Sequence, residues 1–207
     1  MDAIPSPFRL PLIAILRGIA PHETLAHVGA LVEEGFDAIE IPTNSPQWQD
    51  SVAAAVREYG AHARIGAGTV LIPAHLDALV AAGGTLAVTP NTHPPLIRDA
   101  VGRGVQVAAG FATASEAFAA LDAGAQMLKL FPASVYGPAM VRALRSVLPP
   151  VPLFAVGGVT PDILSDYLSV GCVGAGIGGE LYQPGQPVER TRQHARRFRQ
   201  AYLDYAA

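Results

Sequence analysis

Residues 124–132 read Gly-Ala-Gln-Met-Leu-Lys-Leu-Phe-Pro, a short apolar run that contains one amine and lies between a glycine and a proline. Glycine commonly ends a helix and proline interrupts a sheet, so the run predicts a short buried strand. Because strand side chains alternate between faces, Met127, Lys129 and Phe131 are expected to share one face. Burial would lower the pKa of Lys129, and a neutral amine can form a Schiff base with a carbonyl group. The alternative is a lysine at a strand end whose ammonium group reaches water.

The same arrangement, a helix-ending glycine followed by a short apolar run, recurs along the chain. Glycines that end predicted helices precede apolar runs at Gly35, Gly60, Gly83, Gly104, Gly124 and Gly171, and Pro149-Pro150 supplies one further stop. The predicted strands are residues 12–17, 38–41, 64–70, 86–90, 105–110, 127–132, 153–158 and 174–179. Helical patterns lie between them, for instance over residues 21–34, 46–59 and 113–123. Each unit is therefore one strand followed by one helix.

Eight such units predict an α/β protein with a single-domain (β/α)8 TIM-barrel fold over residues 1–207. The rival fold is a doubly wound open sheet, which also alternates strands and helices. No G-x-G-x-x-G motif follows the first predicted strand, and the eight units resemble one another, so the barrel is favoured. In a barrel, polar residues at strand ends are the candidates for chemistry.

Composition limits the kinds of partner. Hydrophobic residues make up 50% of the chain and charged residues 15%, which suits strands buried on both faces. The net charge is −3 without a long basic run, so no nucleic-acid partner is expected. The chain has one cysteine, Cys172, and no apolar stretch of about 20 residues, so neither a disulfide framework nor a membrane partner is expected. A cytoplasmic setting is the expectation. The six histidines share no metal-ligand spacing, which argues against a metal site.

Two charged residues lie near the ends of the first two predicted strands. Glu40 alternates with Ile39 and Ile41, so it is expected inside the barrel, where a carboxylate needs a partner or a task. It is interpreted as a general acid and base with a raised pKa, or as the structural partner of Lys129 or Arg17. Arg17 could bind a carboxylate or phosphate in a bidentate manner, or form a salt bridge within the loop.

Small residues mark the ends of three other strands. The run Gly66-Ala67-Gly68-Thr69 would admit a ligand closely, with the Thr69 hydroxyl donating to a ligand oxygen or capping the next helix. Glycine pairs follow the seventh and eighth strands, where barrels of this kind commonly bind phosphate through backbone amides. They are Gly157, Gly158, Gly178 and Gly179. An amine, a carboxylate, an arginine and a phosphate site together favour retro-aldol cleavage of a phosphorylated keto acid through a Schiff base.

Five motifs resemble, in order and spacing over nearly the whole chain, those of the class I aldolases for 2-keto-3-deoxy-6-phosphogluconate and 4-hydroxy-2-oxoglutarate. They are Glu40-Ile41-Pro42, Gly66-Ala67-Gly68-Thr69-Val70, Thr89-Pro90-Asn91, Lys129-Leu130-Phe131-Pro132 and Gly157-Gly158-Val159. The resemblance implies that a phosphorylated keto acid is cleaved to pyruvate and glyceraldehyde 3-phosphate. It implies no metal or organic cofactor, and a homotrimer.

The resemblance also implies a role for each matching residue. Lys129 would form the imine, and Glu40 would transfer protons through a water molecule. Substrate binding would fall to Arg17 and Thr69 at the pyruvyl carboxylate and to Pro90 and Phe131 around the pyruvyl group. The phosphate would be held by amides of Gly157, Gly158, Gly178 and Gly179.

Three features depart from the gluconate-type pattern. Asn44 stands where those enzymes usually have arginine, Arg17 stands where they usually have lysine, and Thr89-Pro90-Asn91 replaces Ser-Pro-Gly. The first two changes are interpreted as compensating, and all three fit a changed sugar stereochemistry. Open alternatives are the gluconate epimer or 4-hydroxy-2-oxoglutarate as substrate. Outside this chemistry, the alternatives are a phosphate-binding barrel isomerase or synthase without an imine, and a catalytically silent sugar-phosphate sensor.

Overall fold

A computed structural model describes residues 4–206 of the chain. It contains eight strands, β1 to β8, with the bounds Leu12–Ile15, Ala38–Pro42, Arg64–Gly68, Leu86–Val88, Gln106–Phe111, Met127–Leu130, Leu153–Val156 and Gly174–Ile177. All neighbouring pairs are parallel, and β1 pairs with β8. The sheet therefore closes on itself, which confirms the single-domain (β/α)8 barrel and rules out the open doubly wound sheet.

A helix follows each strand. Helices α1 to α8 have the bounds Pro21–Glu33, Trp48–Tyr59, Pro73–Ala81, Pro94–Gly102, Ala114–Asp122, Ala133–Arg145, Pro161–Ser169 and Val188–Ala206. Four of them begin with proline, which is suited to a first turn whose N–H groups have no partner within the helix. The glycines predicted to end helices have positive φ, except Gly60, whose φ is −61°. None of the helices between residues 4 and 206 combines the length and the apolar character needed to cross a membrane.

Several strands are shorter than predicted. Strand β1 ends at Ile15 instead of residue 17, β6 at Leu130 instead of 132, and β7 at Val156 instead of 158. Apolar and small residues continue into the loops there, but the sheet hydrogen bonding does not follow them. After β7, for example, Gly157 has a φ of 100°, which leaves the extended conformation. The predicted site residues at these positions therefore lie on loops at the barrel mouth.

The core has two layers. Side chains inside the barrel form one small cluster that includes Ile13, Ala38, Met127 and Phe154, and a larger layer fills the space between sheet and helices. Leu128 and Leu130 belong to the outer layer, so the alternation predicted for β6 is correct. The interior is closed at the amino-terminal end of the strands by Phe8, whose ring centroid lies 5.9 Å from that of Phe154. The opposite end remains for the polar side chains.

The first and last described segments meet at the closed end of the barrel. A cavity of about 680 Å³ is lined by Ile4 and Ser6 from the first segment and by Tyr202, Tyr205 and Ala206 from the end of α8. Helix α8 also packs along α1, where Arg196 donates a 2.9 Å hydrogen bond to the carboxylate of Glu34. The first and last helices are therefore neighbours, as are the first and last strands.

Candidate active site

Lys129 and Glu40 are buried in the barrel interior, close to the carboxyl ends of their strands. Lys129 is the third of the four residues of β6, and Glu40 is the third of the five residues of β2. Only 5% of Lys129 and 1% of Glu40 is exposed. In the ladder, Lys129 pairs with Gly110 on one side and with Phe154 on the other. The interior position predicted for Glu40 is therefore what the structure shows, and Lys129 lies in the same interior.

Burial moves the pKa values of both groups toward neutral pH. It raises the pKa of Glu40 to about 7, although the positive charges of Lys129 and Arg17 oppose the rise. It lowers the pKa of Lys129 to about 8, where Glu40 opposes the fall and Arg17 adds to it. The neutral forms of both groups are accessible near neutral pH, so the site can supply a nucleophilic amine and an acid together.

The two groups do not pair directly. Within residues 4–206, no salt bridge joins Lys129 to Glu40, and Glu40 Oε2 accepts no hydrogen bond. The Glu40 carboxylate instead lies over Gly68 of β3, where an added Cβ atom would overlap it. The small residue was expected to make room for a ligand. What it admits in the structure is the side chain of Glu40.

Arg17 lies on the loop after β1 and is exposed at the barrel mouth. Its Nη1 donates hydrogen bonds to Asn44 Oδ1 at 2.8 Å and to Thr69 Oγ1 at 3.4 Å. The arginine and the asparagine that depart from the gluconate-type pattern thus touch each other. Asn44 orients the guanidinium group and leaves its other nitrogen donors available for an anion.

Thr69 has a left-handed backbone with φ of 57°, which is costly for a β-branched residue. Its carbonyl oxygen accepts a 2.8 Å hydrogen bond from the Thr43 hydroxyl, which helps to hold this conformation. The N-cap position of α3 is occupied by Ile72, which makes no side-chain capping hydrogen bond, so Thr69 does not cap that helix. Its hydroxyl faces Arg17 instead, in keeping with a place in the same anion site.

Phe131 and Pro90 lie on the loops after β6 and β4. Lys129 Nζ is 4.9 Å from the centroid of the Phe131 ring, so the ring forms a wall beside the amine. The hydroxyl of neighbouring Thr89 donates to Asn91 O at 2.7 Å and accepts from Gly110 N at 3.0 Å. Thr89 therefore shapes the loop that carries Pro90.

The four glycines predicted to bind phosphate lie where expected, directly after β7 and β8. Gly157 and Gly158 have φ values of 100° and 76°, a conformation that other residues rarely adopt. A Cβ atom at Gly158 would also crowd the side chain of Ser134. Within the described chain, the N–H groups of Gly158 and Gly179 donate no hydrogen bond, so they can bind an anion.

The histidines and acidic residues form no metal cluster in the part of the chain that the structure describes. His93, on the loop between β4 and α4, caps α4 by accepting a hydrogen bond from Leu96 N at 3.2 Å. Gln186 is a residue to which sequence reasoning assigned no part. It lies in the irregular loop between β8 and α8, where no periodic pattern points to it.

A closed barrel with a buried lysine, a buried carboxylate and an exposed arginine at its mouth has the components of a class I aldolase. A family model described as KDPG and KHG aldolase matches residues 8–192. A relative from Escherichia coli (strain K12) named 2-dehydro-3-deoxy-6-phosphogalactonate aldolase is 58% identical over 197 residues, which cover 95% of this chain and 96% of the relative. The chain belongs to the KDPG and KHG aldolase family.

Solved structures give the same result. One, described as native KDPGal, has a TM-score of 0.94 and 57% identity, and the match covers 96% of this chain and 97% of that chain. Another is a cube-shaped, porous protein cage designed by fusing symmetric oligomeric domains. It also has a TM-score of 0.94 and 57% identity, over 96% of this chain and 74% of that chain.

Proposed function

We propose that this protein is a class I aldolase that cleaves 2-dehydro-3-deoxy-6-phospho-D-galactonate to pyruvate and D-glyceraldehyde 3-phosphate in galactonate degradation. The observation that carries the proposal is the buried pair Lys129 and Glu40, whose pKa values lie near 8 and 7. The relative that shares 58% of its residues supports the galactonate substrate. Arg17 and Asn44, which replace the gluconate-type lysine and arginine, contact each other, in keeping with a compensating pair of changes at the carboxylate site.

The proposed reaction begins when the neutral amine of Lys129 attacks the C2 ketone of the substrate. Glu40 supplies the proton with which the carbinolamine loses water to form a protonated imine. Glu40, now ionised, accepts the C4 hydroxyl proton as the C3–C4 bond breaks and its electrons pass to the imine. Glyceraldehyde 3-phosphate leaves, Glu40 returns its proton to C3 of the enamine, and hydrolysis of the imine releases pyruvate and the free amine of Lys129. Because the pKa of Glu40 is about 7, proton transfer to and from its carboxyl group costs little free energy near neutral pH.

The binding roles follow the geometry of the mouth. Arg17, fixed by Asn44, and the hydroxyl of Thr69 are proposed to bind the pyruvyl carboxylate. Phe131, beside the amine, and Pro90 pack around the pyruvyl group. The phosphate is proposed to accept hydrogen bonds from amides of Gly157, Gly158, Gly178 and Gly179.

The assembly and setting are also part of the proposal. Members of this family are expected to be homotrimers, and a cage designed from symmetric oligomeric domains contains a chain 57% identical to this one. The proposed oligomer is therefore a homotrimer. The cytoplasm is the proposed setting, because the single cysteine, Cys172, is a free and buried thiol and not part of a disulfide framework.

Borohydride reduction in the presence of pyruvate tests the mechanism. Lys129 is the only lysine in the sequence, so a reduced imine on a side-chain amine must lie there. One three-carbon adduct on the peptide that carries Lys129 is the expected result by mass spectrometry. An adduct confined to the α-amino group, or no adduct, would contradict the Schiff-base mechanism. Cleavage rates on the galactonate and gluconate epimers would then decide between the two substrates.

Replacing Arg17 with alanine is expected to lower kcat/KM by about tenfold to a few hundredfold. A hydrogen bond to a charged group contributes roughly 1.5–3 kcal/mol, and about 1.4 kcal/mol corresponds to a factor of ten. Lysine at this position should restore part of the loss, because it keeps the charge without the bidentate geometry. Arg9, which pairs with Asp37 at the other end of the barrel, offers a control in Arg9→Ala. The kcat/KM of Arg17→Ala should fall by the same factor for the galactonate and gluconate epimers. A loss confined to one would mean that Arg17 contacts the C4 region instead of the carboxylate.

A further inference from the structure

The loop between β8 and α8 is held by a buried polar network that the proposed chemistry does not use. Gln186, 9% exposed, donates from Nε2 to Leu181 O at 2.9 Å and to Thr191 Oγ1 at 2.6 Å. Its Oε1 accepts a 3.1 Å hydrogen bond from Gln183 N. A single side chain thus ties two points of the loop to the first turn of α8.

The network extends from α8 to α1. Thr191 is fully buried, and its Oγ1 lies 2.8 Å from Nδ1 of His27 on α1. The ring of His27 meets the edge of Tyr182, with 4.9 Å between the ring centroids. The hydroxyl of Tyr182 donates to Glu23, also on α1, at 3.4 Å. The loop is therefore fixed against two helices and not only against its own backbone.

What the network holds is the turn that follows β8. Leu181 N and Tyr182 N both donate to Gly178 O, at 2.8 and 3.0 Å. Gln186 Nε2 donates to the carbonyl oxygen of the same Leu181. Leu181 is therefore held through both its N–H and its C=O group. Few atoms pack against Gly178 and Gly179, because an added Cβ atom would meet nothing within 4 Å at Gly179 and only Ile15, at 3.9 Å, at Gly178. Their position depends on the residues that follow.

We propose that Gln186 is a positioning residue for the substrate phosphate, acting with Thr191 to hold the turn that presents the amides of Gly178 and Gly179. This inference rests on the proposed function, which places the phosphate at these amides. A phosphate binds well to backbone amides only when they are held in place before it arrives. Loss of Gln186 should therefore weaken recognition of the phosphate and leave the chemistry at Lys129 unchanged.

The test compares two aldehydes that differ only in the phosphate, in the synthetic direction with pyruvate. In Gln186→Met, which keeps the length of the side chain and removes its hydrogen bonds, the KM for D-glyceraldehyde 3-phosphate should rise by roughly tenfold. The KM for unphosphorylated D-glyceraldehyde and the kcat for both aldehydes should stay unchanged. The inhibition constant of inorganic phosphate should rise by the same factor as the first KM.

A matched pair of variants separates positioning from folding. Thr191→Val keeps the shape but removes the hydroxyl, and Thr191→Ser keeps the hydroxyl. The valine variant should raise the KM for D-glyceraldehyde 3-phosphate by a smaller factor than Gln186→Met does, and leave the KM for D-glyceraldehyde unchanged. The serine variant should behave as the unaltered enzyme. Equal losses for both aldehydes, or a lowered Tm without any change in the phosphate-dependent KM, would overturn the inference. If the unaltered enzyme traps no pyruvate at Lys129, the proposed function itself fails, which is a different outcome.

Discussion

Lys129→Met is expected to lower kcat by roughly 10⁵–10⁶-fold, the scale of loss seen when an enzyme loses its covalent nucleophile. No other lysine exists in the sequence to take its place. The variant should also fail to retain pyruvate after borohydride reduction. The fold should persist, because Lys129 is only 5% exposed and methionine fills a similar volume without a charge to bury. Thermal unfolding and circular dichroism check this point.

Lys129→Arg is the matched control. It keeps a positive charge beside Glu40, but a guanidinium group stays protonated and cannot form the imine. It should therefore be as inactive as the methionine variant. Substantial turnover in the arginine variant would show that the positive charge is what matters. The protein would then be a barrel enzyme without imine chemistry, in which Lys129 serves as the partner of Glu40.

Glu40→Gln is expected to lower kcat by roughly 10²–10⁴-fold, which is the usual contribution of general acid and base catalysis. Glutamine keeps the shape over Gly68 but can neither release nor accept the protons of the reaction. Imine formation should slow as well, because loss of water from the carbinolamine needs an acid. Single-turnover trapping with pyruvate measures this step separately from carbon–carbon cleavage. Near-normal rates in both assays would restrict Glu40 to a structural role.

The raised pKa of Glu40 also predicts a change in stability with pH. Burial raises the pKa of Glu40 to about 7, so the folded protein holds this proton up to about pH 7, whereas a free glutamate side chain has a pKa of 4.5. Over this window the folded state binds more protons than the unfolded state, so the contribution of Glu40 to stability falls as pH rises. Glu40→Gln has no such dependence. Its free energy of unfolding relative to the unaltered protein should therefore increase between about pH 4.5 and 7, as measured by chemical denaturation at several pH values.

Glu116→Gln provides the comparison for this titration. Glu116 lies in the first turn of α5, where hydrogen bonds from Ala112 N and the Thr113 hydroxyl lower its pKa. The stability that it contributes should be present above its unfolded pKa and lost as pH falls, which is the opposite sign. If both variants changed in the same direction with pH, the burial of Glu40 would not be the cause of its effect.

Alternation along the strands was enough to predict the interior of the site. Glu40 between two isoleucines and Lys129 between two leucines each had to face away from the helices, and the structure places both inside the barrel. The barrel itself followed from eight similar units. The ends of the strands were less accurate, because apolar or small residues such as Phe131 and Gly157 continue past the last paired residue.

Other features depend on contacts between distant parts of the chain, which local patterns do not encode. Asn44 can reach Arg17 only because β1 and β2 pair in one particular register, with Ile15 beside Glu40. The left-handed backbone of Thr69 opposes its residue type, so no propensity would predict it. Gln186 lies in an irregular loop and bonds to a helix that begins after it. Such contacts become visible only once the strands are arranged in space.

The two described ends of the chain line one cavity at the closed end of the barrel, to which Ile4, Tyr205 and Ala206 all contribute. A short linker between these ends would make the polypeptide circular without crossing the mouth that holds Lys129 and Glu40. The circle could then be opened elsewhere, for example at Gly137, which interrupts α6 with a φ of 69° and where a Cβ atom would meet nothing within 4 Å. Such a circular permutant should close the same barrel, since β1 and β8 would still pair. In the permutant, the chain would run from β8 through α8 and the linker into β1. The order in which the units are translated is therefore separable from the order in which they surround the site.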